Sequence, residues 1–196
     1  EEALASDVEF DIVFFTPEFD SSSRLYQDIC QKNIVKKIVD DKLLEEISDI
    51  VTSQGIIAVV KEPDFDRDEI IDDFQSLLVL DRIQDPGNMG TLIRTSVAAG
   101  IDGIIALKGC VDIYNLKVLR ATMGAVFNIP ILTRVELKDL EEILASNKDC
   151  RLISTDISGD NYYYDLEYKT PFMLVIGNEG NGICDDIIKI SDYKVK

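Results

Sequence analysis

The chain has 196 residues, 46% of them hydrophobic, and can therefore bury the core of one large domain or two small ones. Its net charge of −17 argues against the extended basic surface that nucleic-acid-binding proteins usually present. It contains no histidine, which excludes Ser-His-Asp triads, histidine general bases and histidine metal ligands. No carboxylate spacing indicates another metal site, so we expect none.

Targeting signals are missing from the printed sequence. No apolar run approaches the roughly 20 residues needed to cross a bilayer, so we expect no membrane partner. The opening EEALASDVEFD is acidic and does not resemble a signal peptide. The cysteines are scattered without a CxxC pair, which is typical of reduced thiols in a cytoplasmic protein. Because the chain opens at Glu1 rather than at a methionine, we expect the natural product to begin upstream.

The first third of the chain predicts a small α/β unit. Short runs rich in β-branched and aromatic residues predict strands, and acidic or serine-led segments predict helices. The predicted strands are 11–16, 34–39 and a buried one at 56–60, and the predicted helices are 24–31 and 40–47. Residues 61–75 are acidic and contain Pro63, so we interpret them as a solvated linker with a short helix near its end; an acidic partner site is the alternative.

From Leu77 onward, predicted strands and helices alternate regularly. The strands are 77–80, 103–107, 131–135, 151–155 and 172–176, and the helices are 88–99, 115–122, 138–146 and about 185–189. Such alternation predicts an α/β fold, a mostly parallel sheet with helices on both faces. Ligands bind at the carboxyl ends of the strands in these sheets. The loops expected there are 81–87, 108–115, 155–160 and 177–182.

The stretch from Leu77 to Gly100 predicts a strand, a tight turn on DPG and a helix. Asn88 is expected to cap the start of that helix, and Gly100 to end it in the left-handed conformation. Arg94 lies near the middle of the helix. It is either a functional cation or an ordinary helix arginine paired with a nearby acid.

A second candidate site is the glycine-rich stretch IGNEGNG at 176–182. Its glycines leave backbone N–H groups unshielded and permit positive φ angles, so the loop can wrap a nucleoside or bind a carboxylate. It has neither the Lys-Ser/Thr of a P-loop nor the GxGxxG spacing, and a plain turn is the alternative. For Glu179 the alternative is a carboxylate that caps local N–H groups.

Three stretches carry a resemblance to a known family. DPGNMGTLIRTSVAAG at 85–100 resembles the first signature motif of the SpoU (TrmH-like) class of SPOUT RNA methyltransferases. FMLVIGNEGNGI at 172–183 resembles the second motif, and VDIYNLKVLRATMGAVFNIPI at 111–131 resembles the segment between them. The resemblance implies a SPOUT-type trefoil-knot domain at 76–196, preceded by an acidic linker at 62–75 and an L30e-like RNA substrate-binding domain at 1–61.

The same resemblance implies an activity and its residues. The activity is methyl transfer from S-adenosylmethionine to a ribose 2′-hydroxyl of RNA by a cytoplasmic homodimer. The RNA is ribosomal or transfer RNA, with ribosomal RNA favoured. The implied catalytic residues are Asn88, Arg94 and Glu179, with Glu179 a partner for Asn88 or Arg94. The cofactor contacts are Gly177, Asn178, Glu179, Gly180 and, from its place at a strand end, Thr155. The implied RNA contacts are Arg94, Arg120 and Lys117, for the last two of which a plain surface cation is the alternative.

Arginine is always protonated and is therefore a poor base. We expect Arg94 to bind a phosphate and the developing alkoxide, while that phosphate or water assists proton removal. The tyrosines at 162–164 could stack RNA bases, although three adjacent side chains cannot share one face of a strand; packing or a dimer contact is the alternative.

Two other functions are compatible with the predicted fold class and compete with methyl transfer. A non-catalytic RNA- or ribosome-binding module is favoured by the acidic composition, and a small-molecule α/β binding protein unrelated to RNA is the third reading. The family's third motif, a Ser-Leu-Asn stretch, does not occur in the sequence. The resemblance therefore implies that both ends are incomplete, and that a complete knot, full cofactor affinity, dimerisation and activity depend on the missing motif.

Overall fold

The computed structural model describes residues 1–48 and 54–196. It divides into two compact units, Glu1–Asp64 and Phe65–Lys196. Within the described ranges, no helix is both long enough and apolar enough to pass through a membrane. All four cysteines are free thiols.

The first unit is built on a three-stranded sheet of order β2-β1-β3, in which β1 runs parallel to β2 and antiparallel to β3. Its elements are α1 (Glu2–Ala5), β1 (Phe10–Phe15), α2 (Arg24–Gln31), β2 (Val35–Ile38), α3 (Asp41–Ile47) and β3 (Ile56–Val60). Ser23 and Asp40 cap α2 and α3 by accepting backbone N–H groups of the first turn. The sheet packs on α2 through a core of Val13, Phe15, Ile29 and Ile34.

The predicted burial of β3 is wrong. Its residues are half-buried or exposed, and none is buried. The reason is its position, because β3 is an edge strand whose partner among the described strands is β1 alone. An apolar composition therefore predicted the strand itself but not its place in the sheet.

The second unit is a six-stranded sheet of order β6-β5-β4-β8-β7-β9 in which every pairing is parallel. Its strands are β4 (Ser76–Asp81), β5 (Gly103–Leu107), β6 (Ile131–Val135), β7 (Arg151–Thr155), β8 (Phe172–Gly177) and β9 (Tyr193–Val195). Its helices are α4 (Arg67–Ile71), α5 (Pro86–Ala99), α6 (Leu116–Thr122), α7 (Leu137–Ser146) and α8 (Asp185–Ile190), with a 3₁₀ turn at Ala125–Phe127.

Helices cover both faces of this sheet, as predicted. Leu77 and Val79 of β4 point into a core shared with α4, α7 and α8, while Leu78 and Leu80 point into the opposite core shared with α5 and α6. This alternation is the period of two that a strand imposes on its side chains. The mostly parallel α/β fold predicted from the sequence is therefore confirmed.

The segment interpreted as a solvated linker, 62–75, is not exposed throughout. Ile70 and Ile71 of α4, with Phe74 after it, are buried in the core of the second unit. Acidic residues on the outer side of α4 dominate the composition of this segment, so its buried apolar residues were not predicted. The compact second unit thus begins at Phe65, inside the predicted linker.

Helix α5 starts two residues earlier than predicted. Pro86 occupies its first turn, where the missing N–H is not needed, and Asp85 is the N-cap. The Asp85 carboxylate accepts from the backbone N–H of Asn88 at 2.7 Å, so the prediction that Asn88 caps the helix is wrong. Gly100 ends the helix with φ of 71°, as predicted. The side chain of Asn88 is thereby left available for another partner.

Candidate functional site at the carboxyl edge of the parallel sheet

The predicted motifs meet at one edge of the six-stranded sheet. Strands β4 and β8 are neighbours, and their last residues, Asp81 and Gly177, stand opposite each other in the register. Strand β7 lies on the other side of β8 and ends at Thr155. Parallel strands present their carboxyl ends together, so the loops that follow β4, β7 and β8 share this edge.

A hydrogen bond joins the first and second motifs directly. The side-chain amide of Asn88, in the first turn of α5, donates to Glu179 Oε1 at 3.1 Å. The same carboxylate accepts from the backbone N–H groups of Asp85 at 3.3 Å and Gln84 at 3.5 Å. Glu179 therefore contacts Asn88, one of the two partners that the resemblance implied. It also caps backbone N–H groups, as the ordinary alternative held, so both roles occur together.

This arrangement favours the ionised form of Glu179. Partial burial by itself raises the pKa of the carboxyl. The hydrogen bonds that Glu179 accepts from its own backbone, Asn88, Asp85 and Gln84 outweigh burial, and the pKa lies below its ordinary value of 4.5. A lowered pKa means that the contact stabilises the folded state above pH 4.5 and is lost only as the pH falls through the lower folded value.

Replacing Asn88 by alanine should raise the pKa of Glu179 toward its ordinary value, because one donor to the carboxylate is lost. The measurement is a pH titration of the Glu179 side-chain carboxyl by NMR. Thr91→Ala is the matched control, since Thr91 lies one turn further on and bonds the carbonyl of Gly87 instead. Equal titration midpoints in the wild type and Asn88→Ala would contradict the contact.

The glycine-rich loop is a tight turn closed on itself. Asn178 and Gly182 exchange backbone hydrogen bonds of 3.0 and 2.9 Å. The Asn178 side-chain oxygen accepts the N–H groups of Gly180 and Asn181, both at 3.0 Å. Asn178 thus organises the turn from inside, which accounts for an asparagine at its first position.

Different structural constraints apply at the three glycines of this loop. A Cβ on Gly177 would lie 2.3 Å from the Ile183 nitrogen and 2.4 Å from the Gly182 carbonyl carbon, so the returning chain requires glycine there. A Cβ on Gly180 would meet only Asn178 Oδ1, at 3.7 Å, and one on Gly182 would meet nothing within 4 Å. The loop therefore leaves open space at these two positions.

That open space belongs to a cavity of about 500 Å³. Its walls are Thr155–Ile157 after β7 and Ile176–Ile183 at the end of β8. The volume falls in the range of about 300–1,000 Å³ typical of cofactor sites. All the residues predicted to bind cofactor, namely Thr155, Gly177, Asn178, Glu179 and Gly180, line it. The hydroxyl of Thr155 is engaged with the carbonyl of Val175 at 2.9 Å, so this side chain shapes the wall.

Arg94 lies apart from this contact. It is exposed on α5, six residues and therefore roughly 9 Å along the helix axis from Asn88. Within the described ranges it forms no hydrogen bond or ion pair, so the alternative of an arginine paired with a nearby acid is not realised there. The structure does not pair Glu179 with Arg94.

The other two predicted RNA contacts, Lys117 and Arg120, are exposed on α6. This helix packs closely on α5, since a Cβ on Gly90 would lie 2.3 Å from the Cβ of Ala121. Arg94 follows Gly90 by one turn and Lys117 precedes Ala121 by one turn, so each cation is on the side of its helix that turns toward the other helix. The predicted RNA contacts are thus carried by two helices in direct contact.

The predicted irregular segment after β7 is confirmed, but its tyrosines are not packed in a core. Tyr162, Tyr163 and Tyr164 are all exposed. The rings of Tyr162 and Tyr164 stack at 5.2 Å with an interplanar angle of 6°, and Tyr163 meets Tyr164 edge-on at 5.1 Å. Tyr162 and Tyr164 therefore share a direction while Tyr163 lies across them, in agreement with the expectation that three adjacent side chains do not share one face.

Sequence reasoning missed two residues at this edge, Asp81 and Arg82. Asp81 is buried, and its carboxylate accepts from Arg82 Nε at 2.8 Å and from the backbone N–H of Cys184 at 2.7 Å. The signal in the sequence was an acid that ends an otherwise apolar strand, where an unpaired charge could not be buried. Because Asp81 lies directly before the first motif, we interpreted it as an ordinary loop residue.

The comparisons with known proteins agree with this architecture. The model of the SpoU rRNA Methylase family matches residues 75–196, and the model described as RNA 2′-O ribose methyltransferase substrate binding matches residues 1–65. The chain is similar to the 23S rRNA (guanosine(2553)-2′-O)-methyltransferase RlmP of Bacillus subtilis, with 30% identity over 158 residues, 81% of this chain and 61% of that protein.

It is also similar to the mitochondrial rRNA methyltransferase 3A of Danio rerio, with 39% identity over 105 residues, 51% of this chain and 24% of that protein. The chain thus spans less than two thirds of either relative. In fold, it is similar to the SpoU methyltransferase AviRb of Streptomyces viridochromogenes, crystallised with AdoMet, with a TM-score of 0.90 and 23% identity over 100% of this chain and 76% of that one. A parallel sheet of this order, two joined motifs and two matching family models together show that the chain belongs to the SpoU rRNA methylase family.

Proposed function

We propose that this chain transfers a methyl group from S-adenosylmethionine to a ribose 2′-hydroxyl of RNA, and that the RNA is ribosomal. The observation that carries the proposal is the Asn88–Glu179 hydrogen bond, which joins the helix bearing Arg94 to the loop lining the 500 Å³ cavity. The names of the similar proteins, which are rRNA 2′-O-methyltransferases, support the same substrate class.

The cavity of about 500 Å³ is large enough for this cofactor and is lined by the glycine-rich loop. The residues that would hold it are Thr155, Gly177, Asn178, Glu179 and Gly180. The open space beside Gly180 and Gly182 supports this assignment, because a flat or branched ligand can approach the backbone there. When bound, S-adenosylmethionine supplies a methyl group already activated by its sulfonium.

The remaining task of the protein is to align and deprotonate the attacking hydroxyl. Asn88 and Glu179 hold the corner of the first motif against the loop, which fixes where α5 begins relative to the cavity. Arg94 is permanently charged and exposed, so it binds the RNA phosphate and the alkoxide that develops at the ribose oxygen. The proton leaves to that phosphate or to water. Lys117 and Arg120, which both lie on α6, bind the flanking phosphates of the RNA.

The organisation of the whole protein follows the same proposal. Residues 1–61 bind the RNA substrate, and the compact unit from Phe65 onward, which takes in most of the predicted linker 62–75, is the methyltransferase domain of a cytoplasmic homodimer. A trefoil knot is supported by the backbone contacts between the segment after β7 and the end of β9. Tyr163 N donates to the Lys196 carbonyl at 3.0 Å, Lys196 N donates to the Asn161 carbonyl at 2.9 Å, and a Cβ on Gly159 would lie 2.9 Å from the Lys194 oxygen.

Isothermal titration of S-adenosylmethionine into the chain tests the proposal. We expect micromolar binding, about −8 kcal/mol. Gly180→Leu should abolish this binding, because the new side chain fills the open space beside the loop. Thr91→Leu, a similar addition on the exposed face of α5, should not affect it. If the wild type binds RNA but not the cofactor, the non-catalytic RNA-binding module is the better account.

A further inference from the structure

The end of strand β4 carries an ion pair between a buried carboxylate and a half-exposed arginine, which the proposed mechanism does not use. Asp81 is only 2% exposed. Both of its oxygens accept from the Arg82 guanidinium, Oδ1 from Nε at 2.8 Å and Oδ2 from Nη2 at 2.9 Å. Oδ2 also accepts the backbone N–H of Cys184 at 2.7 Å. This carboxylate is therefore fully engaged, partly by Cys184, which lies two residues beyond the glycine-rich loop.

Arg82 makes two further contacts to the same loop. Its backbone carbonyl accepts from the Asn178 side-chain amide at 2.8 Å. Its guanidinium Nη2 donates to the carbonyl of Gly182 at 3.3 Å. Together with the Asp81–Cys184 bond, these contacts tether the loop at its beginning, at its last glycine and just beyond it.

The backbone of Arg82 shows that the side chain, rather than the turn, accounts for arginine at this position. Its φ is 56°, in the left-handed region, which costs an L-residue about 1–2 kcal/mol. Glycine would adopt this φ without strain. A strained non-glycine residue persists where surrounding contacts fix it, and here those contacts are the tethers to Asp81, Asn178 and Gly182.

We propose that Asp81 and Arg82 are positioning residues that hold the 178–182 loop in the shape that receives the cofactor. The loop lines the cavity on one side and is tethered to this ion pair on the other. Glu179 ties the same loop to α5 separately, so without the Arg82 side chain the loop keeps that attachment, its internal turn, the Asn178 bond to the backbone carbonyl at position 82 and the Cys184 bond to Asp81. This inference rests on the proposed function for its consequence, cofactor affinity.

The test compares two arginines that both have positive φ. Arg82→Gly removes the guanidinium bonds to Asp81 and Gly182 and relieves the backbone strain, while Arg134→Gly removes an exposed arginine of φ 57° that has no partner in the described part of the chain. Titration calorimetry with S-adenosylmethionine should show affinity at least about tenfold weaker for Arg82→Gly and unchanged for Arg134→Gly. Arg82→Lys keeps the positive charge but lacks the planar guanidinium that bonds two oxygens at once. Its affinity for S-adenosylmethionine should lie between those of the wild type and Arg82→Gly.

Amide hydrogen exchange supplies a readout that needs no cofactor. In Arg82→Gly, the N–H groups of Gly182 and Cys184 should exchange at least tenfold faster, while those of β4 and β8 keep their protection. If Arg82→Gly alone fails to fold around an unpaired Asp81, the double variant Asp81→Asn with Arg82→Gly removes the charge as well and is measured instead.

Unchanged exchange at Gly182 and Cys184, or an affinity within twofold of the wild type, would overturn the positioning role. Faster exchange throughout the sheet would also overturn it, since the pair would then support the fold in general. If the wild-type chain itself binds no S-adenosylmethionine, the proposed function fails. The exchange experiment alone then decides whether the ion pair positions the loop.

Discussion

Arg94→Ala should reduce methyl transfer to ribosomal RNA by a factor of about 10² to 10³. Arg94 is exposed and makes no contact in the described ranges, so its loss removes charge from the substrate side and nothing from the core. The affinity for S-adenosylmethionine should be unchanged, because Arg94 is absent from the cavity wall. The measurement is transfer of a labelled methyl group to unmodified ribosomal RNA, with calorimetric titration of the cofactor alongside.

Two further variants serve as controls for Arg94→Ala. Arg94→Lys should retain part of the activity, since lysine keeps the charge but cannot form a bidentate contact with phosphate. Arg134→Ala, on the exposed side of β6, should leave transfer unchanged. Activity of Arg94→Ala within threefold of the wild type would show that this arginine is an ordinary surface cation. Loss of cofactor binding in the same variant would contradict its placement outside the cavity.

Gly177→Ala should destabilise the second unit by about 1–3 kcal/mol and disrupt cofactor binding with it. The added Cβ would lie 2.3–2.6 Å from atoms of Gly182 and Ile183, including backbone atoms that no rotamer change can move away. The loop must therefore shift at the point where it leaves β8. Thermal unfolding should show a melting temperature lower by roughly 2–4 °C for each kcal/mol.

Gly180→Ala is the matched control in the same loop. Its Cβ would meet only Asn178 Oδ1, at an ordinary contact distance of 3.7 Å, so the stability should change by less than about 0.5 kcal/mol. Similar melting temperatures for Gly177→Ala and Gly180→Ala would mean that the returning chain yields easily at Gly177. The two glycines would then not have the separate roles assigned to them.

These expectations depend on features that the sequence revealed to different degrees. The alternation of strands and helices after Leu77 is a local property, because apolar periodicity and turn residues act over a few neighbours. It predicted the parallel sheet correctly, and the loops that it assigned to the carboxyl edge of the sheet do lie there. It failed where position in the fold decides burial. Strand β3 is apolar but lies at a sheet edge, and α4 is acidic on one side but buries Ile70 and Ile71 on the other.

The candidate site shows the same division. Asn88 was singled out from the sequence, but the local role predicted for it was wrong. Asp85 caps the helix, and the Asn88 amide instead reaches Glu179, 91 positions later in the chain. Asp81 and Arg82 were not singled out at all, because their tethers run to residues about a hundred positions away.

By itself, then, the sequence determined the α/β class, the SpoU motifs and the residue types available at the carboxyl edge. The tertiary structure alone decided which of these residues touch. It decided that Gly177 serves the returning chain while Gly180 leaves open space, and that Glu179 pairs with Asn88 rather than Arg94. The physical reason is that periodicity and capping are short-range, whereas hydrogen bonds and steric contacts between loops exist only after the sheet has set β4, β7 and β8 side by side.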